Sequence, residues 1–151
     1  MNSGIKIVRA EIENLEMFAQ IYRKQREFYG KDNEPAKEYE FLRQRLKENN
    51  TVIFLAEYDL RCIGMVQLYP IFSWVSMERL WELHDLFVDT EYRRHGAGKL
   101  LLETAKNFVK ESKSAGLILQ VSSANVFAIE VYEKNGFVKN SFLTYYWSNK
   151  K

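Results

Sequence analysis

The sequence predicts a mixed α/β fold, in which helices cover a sheet that has a parallel part. Strand-like and helix-like segments are interleaved along the 151 residues, and interleaving is typical of this class. One apolar strand runs into a glycine-bearing turn, an amphipathic helix and a second strand, which is how parallel strands are connected. A hydrophobic fraction of 46% supplies enough apolar side chains for one core, so we expect a single domain over residues 1–151.

Short apolar runs, some of them alternating with polar residues, predict the strands. Two β-branched runs flank a short polar turn, which is the pattern of a hairpin. The predicted strands are residues 5–8, 51–58, 62–69, 79–88, 117–121, 137–140 and 144–148.

Apolar side chains at helical spacing predict four helices. Pro35 suits the first position of the second helix, because its fixed φ is already helical. Gly136 suits the end of the last helix, because glycine adopts the left-handed conformation there at low cost. The predicted helices are residues 12 to about 28, 35 to about 46, about 98 to 113 and about 126 to 134.

Composition excludes several classes of protein. Twenty-two Lys and Arg balance 20 Asp and Glu, so charge favours neither nucleic acid nor an anionic membrane as partner. The one cysteine, Cys62, excludes an intrachain disulfide and a cysteine-based zinc cluster, and two histidines argue against a His-rich site. We therefore expect no metal. The charged N-terminus lacks the apolar core of a signal peptide, and no apolar run approaches the roughly 20 residues that span a bilayer, which predicts a cytoplasmic protein.

The turn after the strand at 79–88 carries the strongest chemical signal. The first amides of a helix lack internal partners and favour negative charge. Small residues let a phosphate approach that backbone, and basic side chains add donors. The turn combines all three in Arg93, Arg94, Gly96, Ala97, Gly98 and Lys99, which predicts a pyrophosphate cradle. The alternative is a tight turn with solvated basic residues. Neither the P-loop nor the Rossmann glycine spacing is present.

The stretch Arg93-Arg94-His95-Gly96-Ala97-Gly98 resembles motif A of the GNAT superfamily of N-acetyltransferases, [RQ]-x-x-G-x-[GA]. Asn125, Ala128 and the run 131–137 resemble the family's N…A…[FI]-Y-x-[KR]-x-G-F ending. The resemblance covers nearly the whole chain. It implies a mixed, mostly antiparallel sheet of six to seven strands with a central splayed parallel pair and about four helices. It also implies acetyl-CoA as donor, and homodimers are common among such proteins.

The resemblance assigns residues to acetyl-CoA. Strand residues would meet the pantetheine arm, the turn would hold the pyrophosphate, and the facing segment would complete the cleft. The set is Leu86, Phe87, Val88, Arg93, Arg94, His95, Gly96, Ala97, Gly98, Lys99, Asn125, Phe127, Ala128 and Tyr132. The strand residues Leu86, Phe87 and Val88 are expected to be core as well, and the alternative for Asn125 is that it is only a helix N-cap.

Three residues are candidates for the chemistry. Tyr132 stands where many family members carry the general acid for the CoA thiolate, although a structural helix tyrosine is the alternative. The strand Leu83-His84-Asp85-Leu86-Phe87-Val88 is similar to that of polyamine and diamine acetyltransferases, which have Glu in place of His84. A base is needed because an amine with a pKa near 10.4 is protonated at pH 7. His84 and Glu82 are the candidates, and a buried structural histidine is the alternative. Since Cys62 is expected in the core, direct attack in a ternary complex is preferred to an acetyl-cysteine.

The resemblance places the acceptor near the loop after the first helix and the connection after residue 69. Aromatic and acidic residues there suit a cationic amine, and a solvated loop is the alternative. They are Tyr29, Asp32, Glu34, Tyr69, Phe72, Trp74 and Glu78. A small polyamine-like or diamine-like acceptor is expected. The rival functions are a non-catalytic acyl-CoA sensor and an enzyme that acetylates a protein N-terminus or charged tRNA. The aromatic C-terminus, with Phe142, Tyr145, Tyr146 and Trp147, pairs in a dimer or belongs to the core.

Overall fold

The computed structural model describes residues 4–150, so residues 1–3 of the predicted charged N-terminus lie outside it. The described chain divides after Gln120 into two compact units. The first unit contains a five-stranded sheet with its strands in sequence order. They are β1 (Lys6–Arg9), β2 (Val52–Tyr58), β3 (Arg61–Ser73), β4 (Glu78–Val88) and β5 (Gly116–Leu119).

Neighbouring strands are antiparallel except β4 and β5, which run parallel. These two pair from Leu80 opposite Gly116 to Leu83 opposite Leu119, while β4 continues to Val88. The parallel pair therefore parts after Leu83, as the family resemblance implies. It lies at the edge of the described five-stranded sheet, whereas a central position was expected.

All four predicted helices are present. Helix α1 (Leu15–Phe28) follows a 3-10 turn over Ile12–Asn14, and α2 (Pro35–Glu48) begins at the proline that predicted it. Helix α3 (Ala97–Glu111) precedes β5, and α4 (Val126–Lys134) belongs to the second unit. Within residues 4–150, no helix has the length and apolar character to cross a bilayer.

Strand alternation gives the sheet two apolar faces. On one face α1 and α2 pack against β2 and β3, and this core includes Phe18, Leu42, Leu55 and Met65. On the other face α3 places Phe108 against Phe54 and Trp81, with ring centroids 5.9 and 5.0 Å apart. Cys62 is buried in the first core, as predicted.

The predicted count of six to seven strands is wrong for the residues described. Residues 137–140 and 144–148 form neither strand nor helix. A strand exists only where its amides and carbonyls pair with a neighbour, and aromatic composition does not supply that neighbour. One strand is longer than predicted: β3 extends past Pro70 to Ser73, whereas the prediction ended it at residue 69. Because β2 stops pairing at Leu68, Pro70 lies in an edge segment, which tolerates proline.

Candidate active site

A β-bulge interrupts β4 where it parts from β5. Met65 pairs with Phe87 and Gln67 pairs with His84, so β4 inserts one extra residue against β3. Asp85 lies in the bulge with a φ of 56°, in the left-handed region that few non-glycine residues adopt. The bulge breaks side-chain alternation and returns Phe87 to the face that carries His84.

Polar side chains from both strands gather beside this bulge. Gln67 and Tyr69 of β3 lie opposite His84 and Glu82 of β4, so both predicted base candidates share one face. The Tyr69 ring meets the His84 ring edge-on at 5.4 Å, and its hydroxyl donates to Gln67 Oε1 at 3.1 Å. Burial, with the Asp85 carboxylate adding, raises the pKa of Tyr69, which keeps this phenol protonated at neutral pH.

His84 is accessible and has a carboxylate partner. Its side chain is 55% exposed, so the alternative of a buried structural histidine is wrong. His84 Nδ1 lies 3.1 Å from Asp85 Oδ2. Glu82 is half-buried two residue pairs further from the bulge. His84 is therefore the more exposed of the two base candidates.

The turn before α3 has the features of an anion site. The first intrahelical bond is donated by Leu100 to the carbonyl of Gly96, which leaves the amides of residues 97–99 without helical acceptors. Gly96 is the N-cap with a φ of 92°. A Cβ on Gly98 would meet only Val88 Cγ2 at 3.7 Å, an ordinary contact. Protein packing does not require glycine at 98, and a small residue there leaves the turn amides open to a phosphate, so the turn has the shape that a pyrophosphate needs.

Arg93 connects this turn to the end of β4 and to the Phe28 and Phe87 rings. Its Nε donates to the carbonyl of Val88 at 3.1 Å, and its guanidinium lies 5.1 Å from the centre of the Phe28 ring and 5.9 Å from that of Phe87. The side chains of Arg94, His95 and Lys99 are exposed around the turn, and Ala97 is buried beneath it.

The second unit carries the other predicted motif. Asn125 Oδ1 accepts from the Ala128 amide at 3.2 Å, so this residue is a helix N-cap, as its alternative interpretation held. Tyr132 is half-buried in α4 and its ring packs edge-on against Phe137 at 5.6 Å. Burial raises the pKa of Tyr132. Gly136 adopts a φ of 91° and ends the helix as predicted. Phe127, nearby in α4, is exposed.

The loop between α1 and α2 is held by a buried carboxylate. Glu38, only 5% exposed, accepts from the Glu34 amide at 2.6 Å and lies 3.5 Å from Arg26 Nε. Arg26 also donates to the Asp32 carbonyl at 2.8 Å and to Glu34 Oε2 at 3.2 Å. Glu34, predicted to bind substrate, is thus engaged within the loop. Tyr29 is exposed at its start.

The β3–β4 hairpin separates the remaining acceptor candidates. Tyr69 lies beside His84, but Trp74 is 91% exposed in the turn between the strands. Phe72 and Glu78 flank that turn, and the Phe72 ring lies 4.9 Å from the Arg79 guanidinium. Of these hairpin residues, Tyr69 is the one placed next to a base candidate.

Sequence reasoning missed Asp85, Gln67 and the Arg26–Glu38 pair. Adjacent side chains of a regular strand point to opposite faces, so nothing in the sequence linked Asp85 to His84. Gln67 is two residues from Tyr69, and strand alternation was the signal that placed both on one face. No three His, Cys, Asp or Glu side chains of residues 4–150 are grouped to hold a metal ion.

Comparisons with known proteins agree on one family. The model of the acetyltransferase (GNAT) family matches residues 16–137. The uncharacterized N-acetyltransferase YhfO of Bacillus subtilis (strain 168) is 35% identical over 145 residues, covering 96% of this chain and 97% of that protein.

Solved structures show the same architecture. The crystal structure of a probable acetyltransferase has 36% identity and a TM-score of 0.89, covering 97% of this chain and 99% of that one. An aminoglycoside acetyltransferase from a soil metagenomic sample, in complex with trehalose, has 24% identity and a TM-score of 0.87, covering 99% of both chains, which shows the shared fold.

Proposed function

Because this chain belongs to the GNAT family of acetyltransferases, we propose that it transfers the acetyl group of acetyl-CoA to a primary amine as one N-acetyltransferase domain. The observation that carries the proposal lies in the first unit. There β4 parts from β5 after Leu83 and runs through the bulge at Asp85 into the Gly96–Gly98 turn. A strand edge that no longer pairs with β5, followed by helix amides without helical acceptors, suits an extended ligand that ends in a pyrophosphate.

Acetyl-CoA supplies an activated acetyl group as a thioester. The turn amides and the exposed Arg94 and Lys99 would hold the pyrophosphate, while Arg93 keeps the turn in place through Val88. Strand residues 86–88 would offer backbone groups to the pantetheine arm. Asn125, Phe127 and Ala128 are proposed to contribute on the strength of the family motif.

The base is proposed to be His84. The reaction forms a bond from the amine nitrogen to the acetyl carbon and breaks the bond from that carbon to sulfur. A protonated amine cannot attack, and removing its proton at pH 7 costs roughly 4.6 kcal/mol for an ordinary pKa of about 10.4. His84 would accept that proton directly or through a water, because it is exposed beside the bulge. Glu82, on the same face, is the second candidate.

Tyr132 is proposed to donate a hydrogen bond or a proton to the departing CoA sulfur. Because burial raises the pKa of Tyr132, the phenol stays protonated throughout the neutral range, as a donor requires. Full transfer to a thiolate is uphill by about 2 kcal/mol from the ordinary pKa values, so hydrogen-bond donation is the main contribution. Its place in the family motif supports this role.

The acceptor is proposed to be a small polyamine-like or diamine-like compound. The β4 sequence around His84 is similar to that of such acetyltransferases, and Tyr69 and Asp32 offer an aromatic face and a carboxylate for a cationic amine. Aminoglycosides form a second class to test, because solved relatives of the same fold include an aminoglycoside acetyltransferase in complex with sisomicin.

The test is release of free CoA thiol from acetyl-CoA with spermidine, putrescine, an aminoglycoside, lysine analogues and short peptides. Acceptor-dependent release is expected and ranks the substrate classes. Acetyl-CoA binding in calorimetry with no release in any reaction would refute transfer to a small amine and favour the non-catalytic module or a macromolecular acceptor. Sedimentation of the same preparation tests whether this chain forms a homodimer, as proteins of this kind commonly do.

A further inference from the structure

We propose that Asp85 is a positioning residue that holds His84 with its proton on Nδ1, so that Nε2 is left as the proton acceptor for the amine. This inference rests on the proposed function, in which His84 is the base. It assigns a role to the β4 bulge: the extra residue builds a His–Asp pair from two neighbours in sequence.

The bulge makes the pair geometrically possible. In a regular strand, residues i and i+1 point to opposite faces and their side chains do not meet. Here the extra residue between the Gln67–His84 and Met65–Phe87 pairs breaks that alternation. Asp85 takes a φ of 56°, and its Oδ2 comes within 3.1 Å of His84 Nδ1.

The His84 imidazole has one carboxylate partner among the neighbouring side chains that the structure describes. Among the described residues, Asp85 is the acid with an oxygen within 4 Å of a His84 ring nitrogen. Tyr69 presents its ring to His84 at 90°, and its hydroxyl is directed to Gln67. The Tyr69 ring therefore packs against the His84 imidazole, while the Tyr69 hydroxyl hydrogen-bonds Gln67 and not the imidazole.

The chemistry of the two groups determines the tautomer. A neutral imidazole has one N–H donor and one acceptor nitrogen, and an ionised carboxylate only accepts. A hydrogen bond between Nδ1 and Asp85 therefore requires the proton on Nδ1, which leaves the lone pair on Nε2. When Nε2 takes the amine proton, the resulting imidazolium lies beside the carboxylate, which stabilises it.

The first readout is the imidazole nitrogen spectrum of the uniformly 15N-labelled full chain at pH 8.5, where imidazole of ordinary pKa is neutral. The chain has two histidines, so His84→Gln and His95→Gln assign the signals. We expect His84 with a protonated Nδ1 and an unprotonated Nε2. A proton on Nε2 in the wild-type protein would overturn the proposal.

The second readout uses Asp85→Asn with Asp59→Asn as the matched control. Both aspartates have positive φ, 56° and 50°, and asparagine tolerates that conformation, so the folds should be retained. The Asp85 variant is expected to move the His84 proton to Nε2 and to lower kcat by about 10²-fold, in the range of general-base effects, with the KM for acetyl-CoA unchanged. Asp59→Asn should change neither readout.

The outcomes separate this inference from the proposed function. An unchanged His84 tautomer in Asp85→Asn would overturn the positioning role. A moved tautomer with unchanged kcat, together with full activity of His84→Gln, would overturn His84 as the base and leave the pair structural. Loss of activity in His84→Gln alone, with Asp85→Asn fully active, would keep the base and refute its dependence on Asp85.

Discussion

Replacing Gly98 with alanine, which the family motif also admits at this position, should make the protein more stable and leave acetyl-CoA binding nearly unchanged, whereas replacing it with valine should weaken that binding. Gly98 is the second residue of α3, and its φ lies outside the left-handed region. Its added Cβ would meet only Val88 Cγ2 at 3.7 Å, so the folded protein has room for it. At such a position glycine loses more backbone entropy on folding than alanine does, so the substitution should raise the free energy of unfolding.

The size of each effect follows from these contacts. Alanine is preferred to glycine by about 0.8–1.0 kcal/mol in a helix interior, and we take roughly 0.5 kcal/mol for the first turn. For a chain of this length, that raises Tm by about 1–2 °C. On the ligand side, the branched side chain of Gly98→Val would push a phosphate off the turn amides. One weakened hydrogen bond to a charged group is worth about 1.5 kcal/mol, which is roughly a tenfold rise in Kd.

Calorimetry measures both quantities on one preparation, by thermal unfolding and by titration with acetyl-CoA. Gly96→Ala is the matched control, because its φ of 92° is strained for alanine and should lower stability by about 1–2 kcal/mol. A Gly98→Val protein that binds acetyl-CoA as tightly as the wild type would refute the placement of the pyrophosphate. A lowered Tm in Gly98→Ala would refute the packing argument.

Three further predictions concern single side chains. Tyr132→Phe should lower kcat about 10- to 100-fold in steady-state assays. Because burial raises the pKa of Tyr132, its donor form predominates up to pH 10, so the midpoint of any alkaline loss of wild-type kcat from this group should lie above that pH. Burial raises the pKa of Cys62 to about 12, so a disulfide reagent at pH 8 should label it only after denaturation. Arg26→Met should lower the unfolding free energy by about 2 kcal/mol in denaturant titrations, because the buried Glu38 carboxylate loses a partner. Arg43→Met is the control: its ion pair with Glu40 is exposed, so the loss should be under about 0.5 kcal/mol.

Local sequence signals were enough to predict most elements of the first unit. Apolar spacing predicted α1, α2 and α3, and Pro35 marked the start of α2 because its preference for the first helical turn is intrinsic. The glycine turn before α3 was predicted for the same reason, since its free amides follow from starting a helix there. The family motif then assigned acetyl-CoA to this turn.

Long-range pairing decided the rest. The sequence by itself determined the helices, the glycine turn and the face shared by Glu82 and His84, because each depends on neighbours a few residues apart. The number of strands, the bulge at Asp85 and the engagement of Glu34 by Arg26 were decided only in the tertiary structure. Strand register joins residues distant in sequence, and the Arg26–Glu34 pair spans eight residues across a loop, so the free energy of both depends on which groups the whole fold brings together.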